Sequence, residues 1–382
     1  MELPPGWKVR RELDVLHSQL LAVPEFIFGP WRQRRHDREL EARIQTHIGD
    51  QPLREKVAIF LLYQPADLPE SVLRTCEHLD SKGFSVFIVS NTPLKPLSRS
   101  RLQSLTWKIV ERPNFGYDFG GYRDGILLLQ KWGVALKRLL LVNDSIWYPV
   151  HAEDRLIEDM EESPASLVGP TLFGDDQSNR RRGRRRFIGS FMVMFKADVL
   201  RSEAFRSFWR DYRLTDNKQL TMKRGERGLS IALENAGFDM QGILSREKFK
   251  NILNALEFDD LLTETRELNL LDPRLVTMRQ ELLQVHGASE TPAKNKVLQK
   301  SWNDGQRRRL IEFIEMATER PNFVVTAPIF CFRYMGIGYL KKRTDLPLYR
   351  QALIDVLRKN ENASRPVILS EVRKEIISKL ES

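Results

Sequence analysis

Cysteine is nearly missing from this chain of 382 residues. Cys76 and Cys331 stand alone, with no C-x-x-C or histidine-rich spacing beside them, which excludes a disulfide framework, a zinc ribbon and a dithiol redox centre. Both are read as packing residues. Nowhere does the chain run through the roughly 18 to 20 apolar residues that a membrane-spanning helix requires. The opening MELPPGWKVRRELDVLHSQLL also lacks the apolar centre and small-residue cleavage site of a secretion signal, so the expected location is the cytoplasm. Missing too are the G-x-G-x-x-G fingerprint and a Walker loop ending in G-K-[ST]. Helix-turn-helix, zinc-finger and aromatic ribonucleoprotein signatures are likewise missing, which disfavours nucleic acid as a partner. No internal repeat or low-complexity linker interrupts the chain.

Charge is present in excess of one sign. With 41% hydrophobic and 29% charged residues the chain is globular, and its net charge of +10 favours polyanions: phosphorylated substrates or acidic lipid surfaces. The densest cluster, NRRRGRRRF (179–187), sets six arginines around one glycine. It is a loop, either solvated or placed to meet phosphate oxygens with its guanidinium forks.

Periodicity divides the chain. Residues 1–52 are expected to form a basic helical arm, with Trp31, Leu40, Ile44 and Ile48 at helical spacing. This arm is either a packing element or a surface helix resting on a membrane. From residue 57 short apolar runs alternate with amphipathic stretches. VAIFLLYQ (57–64), FSVFIVSN (84–91), WKIVER (107–112) and LKRLLLVND (136–144) read as strands, and 68–83, 94–105 and 122–133 as helices. Strand-rich SLVGPTLFGDD (166–176) and FIGSFMVMF (187–195) follow. The expected fold class is therefore α/β, a Rossmann-like parallel sheet over 53–245, with a mainly helical region over 246–382. An apolar, aromatic stretch, VVTAPIFCFRYMGIGYLKKR (324–343), interrupts that region and reads either as core or as a membrane-facing segment.

In such a sheet ligands bind beyond the carboxyl ends of the strands, and three polar clusters fall at those ends. Ser90 and Asn91 close one strand; RPNFGYDFGGYRDG (112–125) follows the next; Asn143, Asp144 and Ser145 close the last. Gly116, Gly120, Gly121 and Gly125 are expected to permit positive φ and a close approach of backbone to ligand. Asp118 either accepts hydrogen bonds from sugar hydroxyls or caps a helix starting near Gly120. Phe115, Tyr117, Phe119 and Tyr122 either offer flat faces to a ring or fill the core. Asp144 is a ligand-binding carboxylate or a turn cap. Glu226, in GERGLSIALENAGF (225–238), is either a functional carboxylate or an acid favoured by the dipole of a helix it opens.

Taken in order, RPNFGYDFGGYRDGI, LLLVNDSIWYP, FIGSFMVMFKADVL and ERGLSIALENAGF resemble the rhamnan synthesis protein F family of bacterial polysaccharide glycosyltransferases, over roughly residues 55–345. The resemblance implies an A-type glycosyltransferase fold and a nucleotide-sugar donor such as dTDP-rhamnose. It also implies a role in building lipopolysaccharide O-antigen or another cell-surface glycan. Asn114, Gly116 and Asp118 take the N-x-G-x-D positions. Asn143, Asp144 and Ser145 take the place of the D-x-D motif with one carboxylate, Asp144, to help hold Mg²⁺ or Mn²⁺, and Arg227 stands where a second acid follows the catalytic one. In this reading Ser90 and Asn91 lie near the donor base, Asp118 at the sugar or ribose, Asp144 at the diphosphate, and Glu226 acts as the base of a single inverting displacement. The acceptor is lipid-linked or a growing polysaccharide, with peripheral contact at the anionic inner face of the membrane. The competing reading is a non-catalytic basic scaffold that binds glycan, membrane or nucleic acid; the missing second carboxylate at Asn143 and Ser145 favours it.

Overall fold

A computed structural model describes residues 28–174, 185–288, 296–319, 322–342, 347–359 and 368–381. Arg180, Arg181, Arg182 and Arg184 of the arginine cluster lie outside the described residues. The chain divides into two compact units whose segments alternate along the sequence. The first is drawn from Met1–Leu68, Leu79–Asp144 and Met194–Asp239, the second from Pro69–His78, Ser145–Val193 and Met240–Ser382.

The first unit carries the strand–helix alternation. Its strands are β1 (Gln45–Ile48), β2 (Lys56–Leu62), β3 (Ser85–Ser90), β4 (Lys108–Glu111) and β5 (Arg138–Asn143), hydrogen-bonded in the order β1-β4-β3-β2-β5. β2, β3, β4 and β5 pair in parallel. Parallel strands are covered on both faces and so read as continuous apolar runs. Accordingly Val57, Ala58, Ile59, Phe60, Leu61 and Leu62 are all buried. Helix α1 covers 28–43, followed by α2 (Glu70–Ser81), α3 (Pro96–Gln103) and α4 (Tyr117–Lys131). Residues 45–48, expected in a helical arm, instead form β1, paired antiparallel with β4 from Gln45↔Glu111 to Ile48↔Lys108. Ile48 is 76% exposed on that strand, so its helical spacing from Leu40 and Ile44 carried no packing information.

Two features fix α4 against the sheet. Its glycines are spacers: a Cβ on Gly121 would fall 2.2 Å from Leu61 Cδ1, one on Gly125 3.0 Å from Val89 Cγ2, and one on Gly120 2.0 Å from the Phe115 carbonyl oxygen. Of the four glycines in this stretch only Gly116, at φ 87°, has positive φ, which corrects the expectation that all four free the backbone. The second feature is the buried guanidinium of Arg112, one residue beyond β4. Its Nε donates to Asp124 Oδ2 at 2.6 Å, one Nη to Asn91 Oδ1 at 2.6 Å, and the other to the Phe115 carbonyl at 2.7 Å. Asp124 also meets His36 Nε2 of α1 at 2.9 Å, and Arg123 grips Asp37 of α1. Burial raises the Asp124 pKa, but Arg112, the His36 hydrogen bond and Arg123 together outweigh it and hold the carboxyl below its ordinary range.

The second unit has smaller strand pairs. β6 (Ile146–Trp147) pairs antiparallel with β12 (Leu340–Lys341), and β8 (Leu172–Phe173) with β9 (Phe187–Ile188). β7 (Leu167–Gly169) pairs in parallel with β11 (Met240–Gly242). β10 (Met192–Lys196) is divided by the unit boundary, Met194–Lys196 falling in the first unit and Met192 and Val193 in the second. Of the apolar stretch, the described residues 324–342 supply core, with Ile329, Phe332 and Leu340 in one cluster with Trp147, Leu353 and Ile376. Among the described residues no helix is long and apolar enough to cross a membrane. Cys76 and Cys331 are fully buried free thiols, and burial raises both pKa values, as packing residues require.

Three substitutions have expected consequences for stability. Gly120→Ala places a methyl against a backbone carbonyl that cannot rotate away and is expected to cost about 1–3 kcal/mol in urea unfolding. Gly305→Ala, with nothing within 4 Å, is expected to gain up to about 1 kcal/mol. Asp124→Asn breaks a buried pair and is expected to cost about 3–5 kcal/mol at pH 7. Because the folded-state pKa of Asp124 is lowered, its contribution is complete above about pH 4 and is lost as pH falls through that lowered value. Urea midpoints of wild type and Asp124→Asn should therefore converge in acid.

Candidate active site

β2 and β5 are neighbours in the sheet, yet the chain leaves β2 for β3 on one side and β5 lies on the other. Their carboxyl ends are thus the point where strand order reverses, which opens a crevice in sheets of this kind. Asp144 spans that point. Its Oδ2 accepts from the Tyr63 backbone N–H at 2.8 Å and from Gln64 Nε2 at 2.6 Å, and its own N–H donates to the Leu61 carbonyl at 3.1 Å. The carboxylate is therefore partly a cap, as the blander sequence reading held, and it ties the end of β5 to that of β2.

Asp118 reaches the same place from α4. That helix starts at Tyr117, earlier than expected, because Gly116 turns left-handed at φ 87°. The Gly116 N–H donates to Asp216 Oδ1 at 3.2 Å, and Arg32 of α1 pairs with the same carboxylate at 2.5 Å. Tyr117 keeps a positive φ of 51°, a costly conformation for an aromatic residue, and is 43% exposed. Asp118 then lies in the first turn of α4, where Asn143 Nδ2 donates to its Oδ2 at 3.0 Å. Asn114 is exposed on the approach to the helix.

One turn further along α4, Tyr122 is fully buried. Its pKa lies well above the ordinary phenol value, first through burial and then through the fields of Asp118, Asp144 and Glu226, against a hydrogen bond with Asn143. Three carboxylates distant in sequence therefore act on one phenol. The sequence reading considered Tyr122 as a ring face or as core and gave its hydroxyl no role; its i, i+4 spacing from Asp118 is the signal that places both on one side of the helix. Phe119, by contrast, is core, stacked on Trp209 at 5.7 Å.

Glu226 lies in a π-helical turn, Met222–Arg227, between the helices Lys218–Thr221 and Gly228–Asn235. This helical run begins at Lys218 and is capped by Asn217, whose side chain accepts from Gln219 N and Leu220 N. Glu226 is thus more than two turns from the positive end of the dipole, and the expectation that it opens a helix is corrected. π-turns inside helices concentrate at functional sites. Here the turn seats Gly225 on the Phe119 ring, with a Cβ position only 2.5 Å from Phe119 Cδ2.

Ser90 and Asn91 are both buried and turned to the chain itself. The Ser90 hydroxyl donates to the Thr92 carbonyl at 2.6 Å, and Asn91 Oδ1 receives Arg112. Ser145 is exposed and opens the second segment of the second unit. Among the described residues no three His, Cys, Asp or Glu side chains are grouped to hold a metal ion. A cation at Asp144 would take one protein carboxylate and fill its other positions from phosphate oxygens and water, which hard cations accept. Gln64 and Arg112, which position Asp144 and Asn91, carry no sequence pattern that separates them from surface polar residues.

Comparison with known proteins adds family identity. The chain is 34% identical over 249 residues to the uncharacterized protein y4gN of Sinorhizobium fredii, a match covering 64% of each, so under two thirds of that relative. It is similar to three solved structures at low TM-scores. Core-mannan synthase A of Aspergillus fumigatus, in an Mn/GDP form, is 10% identical at a TM-score of 0.29, over 49% of this chain and 74% of that one. GlyE of Streptococcus pneumoniae is 12% identical at 0.28, over 68% and 63%. The mannosyltransferase PcManGT of Pyrobaculum calidifontis is 10% identical at 0.28, over 90% and 99%. TM-scores this low do not establish a shared fold. The sequence model of rhamnan synthesis protein F matches residues 86–281, more than half of the chain, on the stretch that carries Asp118, Asn143, Asp144 and Glu226, and the chain belongs to that family.

Proposed function

We propose that this protein is a glycosyltransferase that moves a sugar from a nucleoside diphosphate donor to a hydroxyl of a growing or lipid-linked glycan. The observation that carries the reading is the meeting of two acids at the point where strand order reverses: Asn143 at the end of β5 donates to Asp118 Oδ2 at 3.0 Å, and Asp144 Oδ2 accepts from the Tyr63 N–H at 2.8 Å and Gln64 Nε2 at 2.6 Å just beyond β2. In the proposed step the acceptor oxygen attacks the anomeric carbon, the bond from that carbon to the diphosphate oxygen breaks, and the acceptor proton passes to the Glu226 carboxylate. Asp118 accepts hydrogen bonds from donor hydroxyls, and Asn143 orients it. Asp144 is the residue that would hold Mg²⁺ or Mn²⁺, which when bound offsets diphosphate charge. Buried Ser90 and Asn91 act from behind the donor pocket, and Asn114 and Gly116 border it.

The family name supports a rhamnosyl donor, dTDP-rhamnose, and an O-antigen type of product. Peripheral contact with an anionic inner membrane face is supported by the net charge of +10 and by Phe28 and Trp31, 58% and 61% exposed on a helix that also carries Arg34 and Arg38. A scaffold without catalysis is the second reading, supported by the single carboxylate among Asn143, Asp144 and Ser145.

The deciding measurement is a panel of nucleoside diphosphate sugars with and without Mn²⁺, read by mass spectrometry of released nucleotide and glycosylated acceptor. Turnover of one donor is expected. No turnover and no thermal shift with any donor, alongside salt-sensitive polyanion binding, sinks the enzyme reading and leaves the scaffold. With the active donor, Glu226→Gln is expected to lower kcat about 10²–10⁴-fold while donor affinity is retained, and Asp118→Ala to weaken donor binding. Tyr122→Phe keeps the ring and removes the hydroxyl; kcat should fall, with a stability loss of about 1–3 kcal/mol from the abandoned Asn143 amide.

A further inference from the structure

Helix α1 precedes the stretch that the family model matches, residues 86–281, yet its inward face is built for polar contact. A surface helix ordinarily turns an apolar stripe inward. In α1 the inward positions before buried Leu40 are Gln33, half-buried, and His36, buried. Their partners lie on two segments far apart in sequence. On the first, residues 112–125, His36 meets Asp124 at 2.9 Å and sets its ring edge-on to Phe115 at 5.4 Å between centres. On the second, residues 212–217, Gln33 uses both ends of its amide. Its Nε2 donates to the Tyr212 carbonyl at 3.0 Å, and its Oε1 accepts from the Leu214 N–H at 3.1 Å.

Arg32 joins the two segments to each other. Its guanidinium pairs with Asp216 at 2.5 Å and lies over the Phe115 ring, 4.7 Å from the centre, while the other oxygen of Asp216 takes the Gly116 N–H at 3.2 Å. Leu214 closes in at the same point: a Cβ on Gly116 would fall 2.8 Å from its Cδ2. Gly116 stands two residues before Asp118, and Asp216 one residue before Asn217, the cap of the helical run that carries Glu226. Arg32 and Asp216 are each 47% exposed, and an exposed ion pair adds little to global stability. What this pair does contribute is a fixed spacing between the turn that leads to one acid and the turn that leads to the other.

From this we infer that α1 is a clasp for the site, with Arg32 as a positioning residue that keeps the segment bearing Asp118 in register with the segment bearing Glu226. The roles of the two acids rest on the glycosyltransferase reading; the clasp rests on the contacts of α1. A displacement of about 1 Å between reacting groups costs about 10²-fold in rate, whereas a donor held by Asp118 stays bound when the base is displaced. A loosened clasp therefore lowers kcat and spares donor affinity, a split that loss of fold does not produce.

The test uses the full chain and the donor that the panel identifies. Arg32→Ala and Asp216→Ala are each expected to lower kcat about 10–100-fold, with the donor Kd and the urea midpoint unchanged. Arg32→Lys, which keeps the charge, should restore most of the rate, and Asp216→Asn, which keeps an acceptor for the Gly116 N–H, should lose less than Asp216→Ala. Arg35→Ala is the control: its partners, Glu39 and the Trp31 ring, lie on α1 itself, so the rate should not change. Unchanged kcat in Arg32→Ala and Asp216→Ala, an equal loss in Arg35→Ala, or a loss that follows the urea midpoint would overturn the inference and leave the transferase reading intact. Amide hydrogen exchange of Arg32→Ala supplies a readout without turnover, since release of the clasp should speed exchange in both 113–119 and 212–221. If no donor is turned over, the transferase reading fails and exchange alone decides: faster exchange in both segments upholds the clasp, and in fewer than both overturns it.

Discussion

One buried guanidinium holds together the end of the first unit that carries the candidate site. Arg112 has no exposed side-chain surface, so its positive charge is tolerable only because a carboxylate and two carbonyl oxygens surround it. Those partners come from different places: Asp124 from the second turn of α4, Asn91 from the end of β3, and Phe115 from the loop between β4 and α4. Because Asp124 also meets His36, the N-terminal helix enters the same network. Without this charge the loop, the strand end and the two helices would have no common anchor. Asp118 stands less than two turns before Asp124 on the same helix, so its position is inherited from that anchor.

The electrostatics of the site run against those of the chain. In a protein with a net charge of +10, burial first and then the fields of Asp118, Asp144 and Glu226 push the Tyr122 phenol well above its ordinary range. A neutral hydroxyl among carboxylates can donate a hydrogen bond without adding to their repulsion. Asn143 is suited to the same end: its amide nitrogen donates to Asp118 while its place at the end of β5 sets the neighbouring Asp144 beside β2. The glycines of α4 make this possible from below, since Gly121 and Gly125 let the helix lie against Leu61, Ile59 and Val89 closely enough for its first turn to meet the strand ends.

Much of this was legible in the sequence. Strands buried on both faces are continuous apolar runs, so β2, β3, β4 and β5 stood out from composition alone. Asp118, Asp144 and Glu226 were legible as acids near strand ends or helix starts. What stayed hidden depends on three-dimensional proximity. Nothing in the sequence marks Arg112 as buried, since charged residues at strand ends are ordinarily solvated. The glycines of α4 look the same whether they serve a turn or a close approach. β1 was missed because its polar residues, paired on one edge only, lack the alternation that identifies a strand. The alternation of the two units along the chain was missed because sequence composition changes gradually and unit boundaries do not.

The π-turn at Met222–Arg227 is one residue longer than an α-helix of the same rise needs. A chain lacking that residue would form a plain helix with better-aligned hydrogen bonds, and every side chain before the deletion would rotate by about 100° relative to those after it. Either Glu226 or the face that packs Gly225 on Phe119 would then point elsewhere. The extra residue thus behaves as a phase shift in the helical repeat, letting one continuous helix satisfy two surfaces that a regular repeat could not serve together.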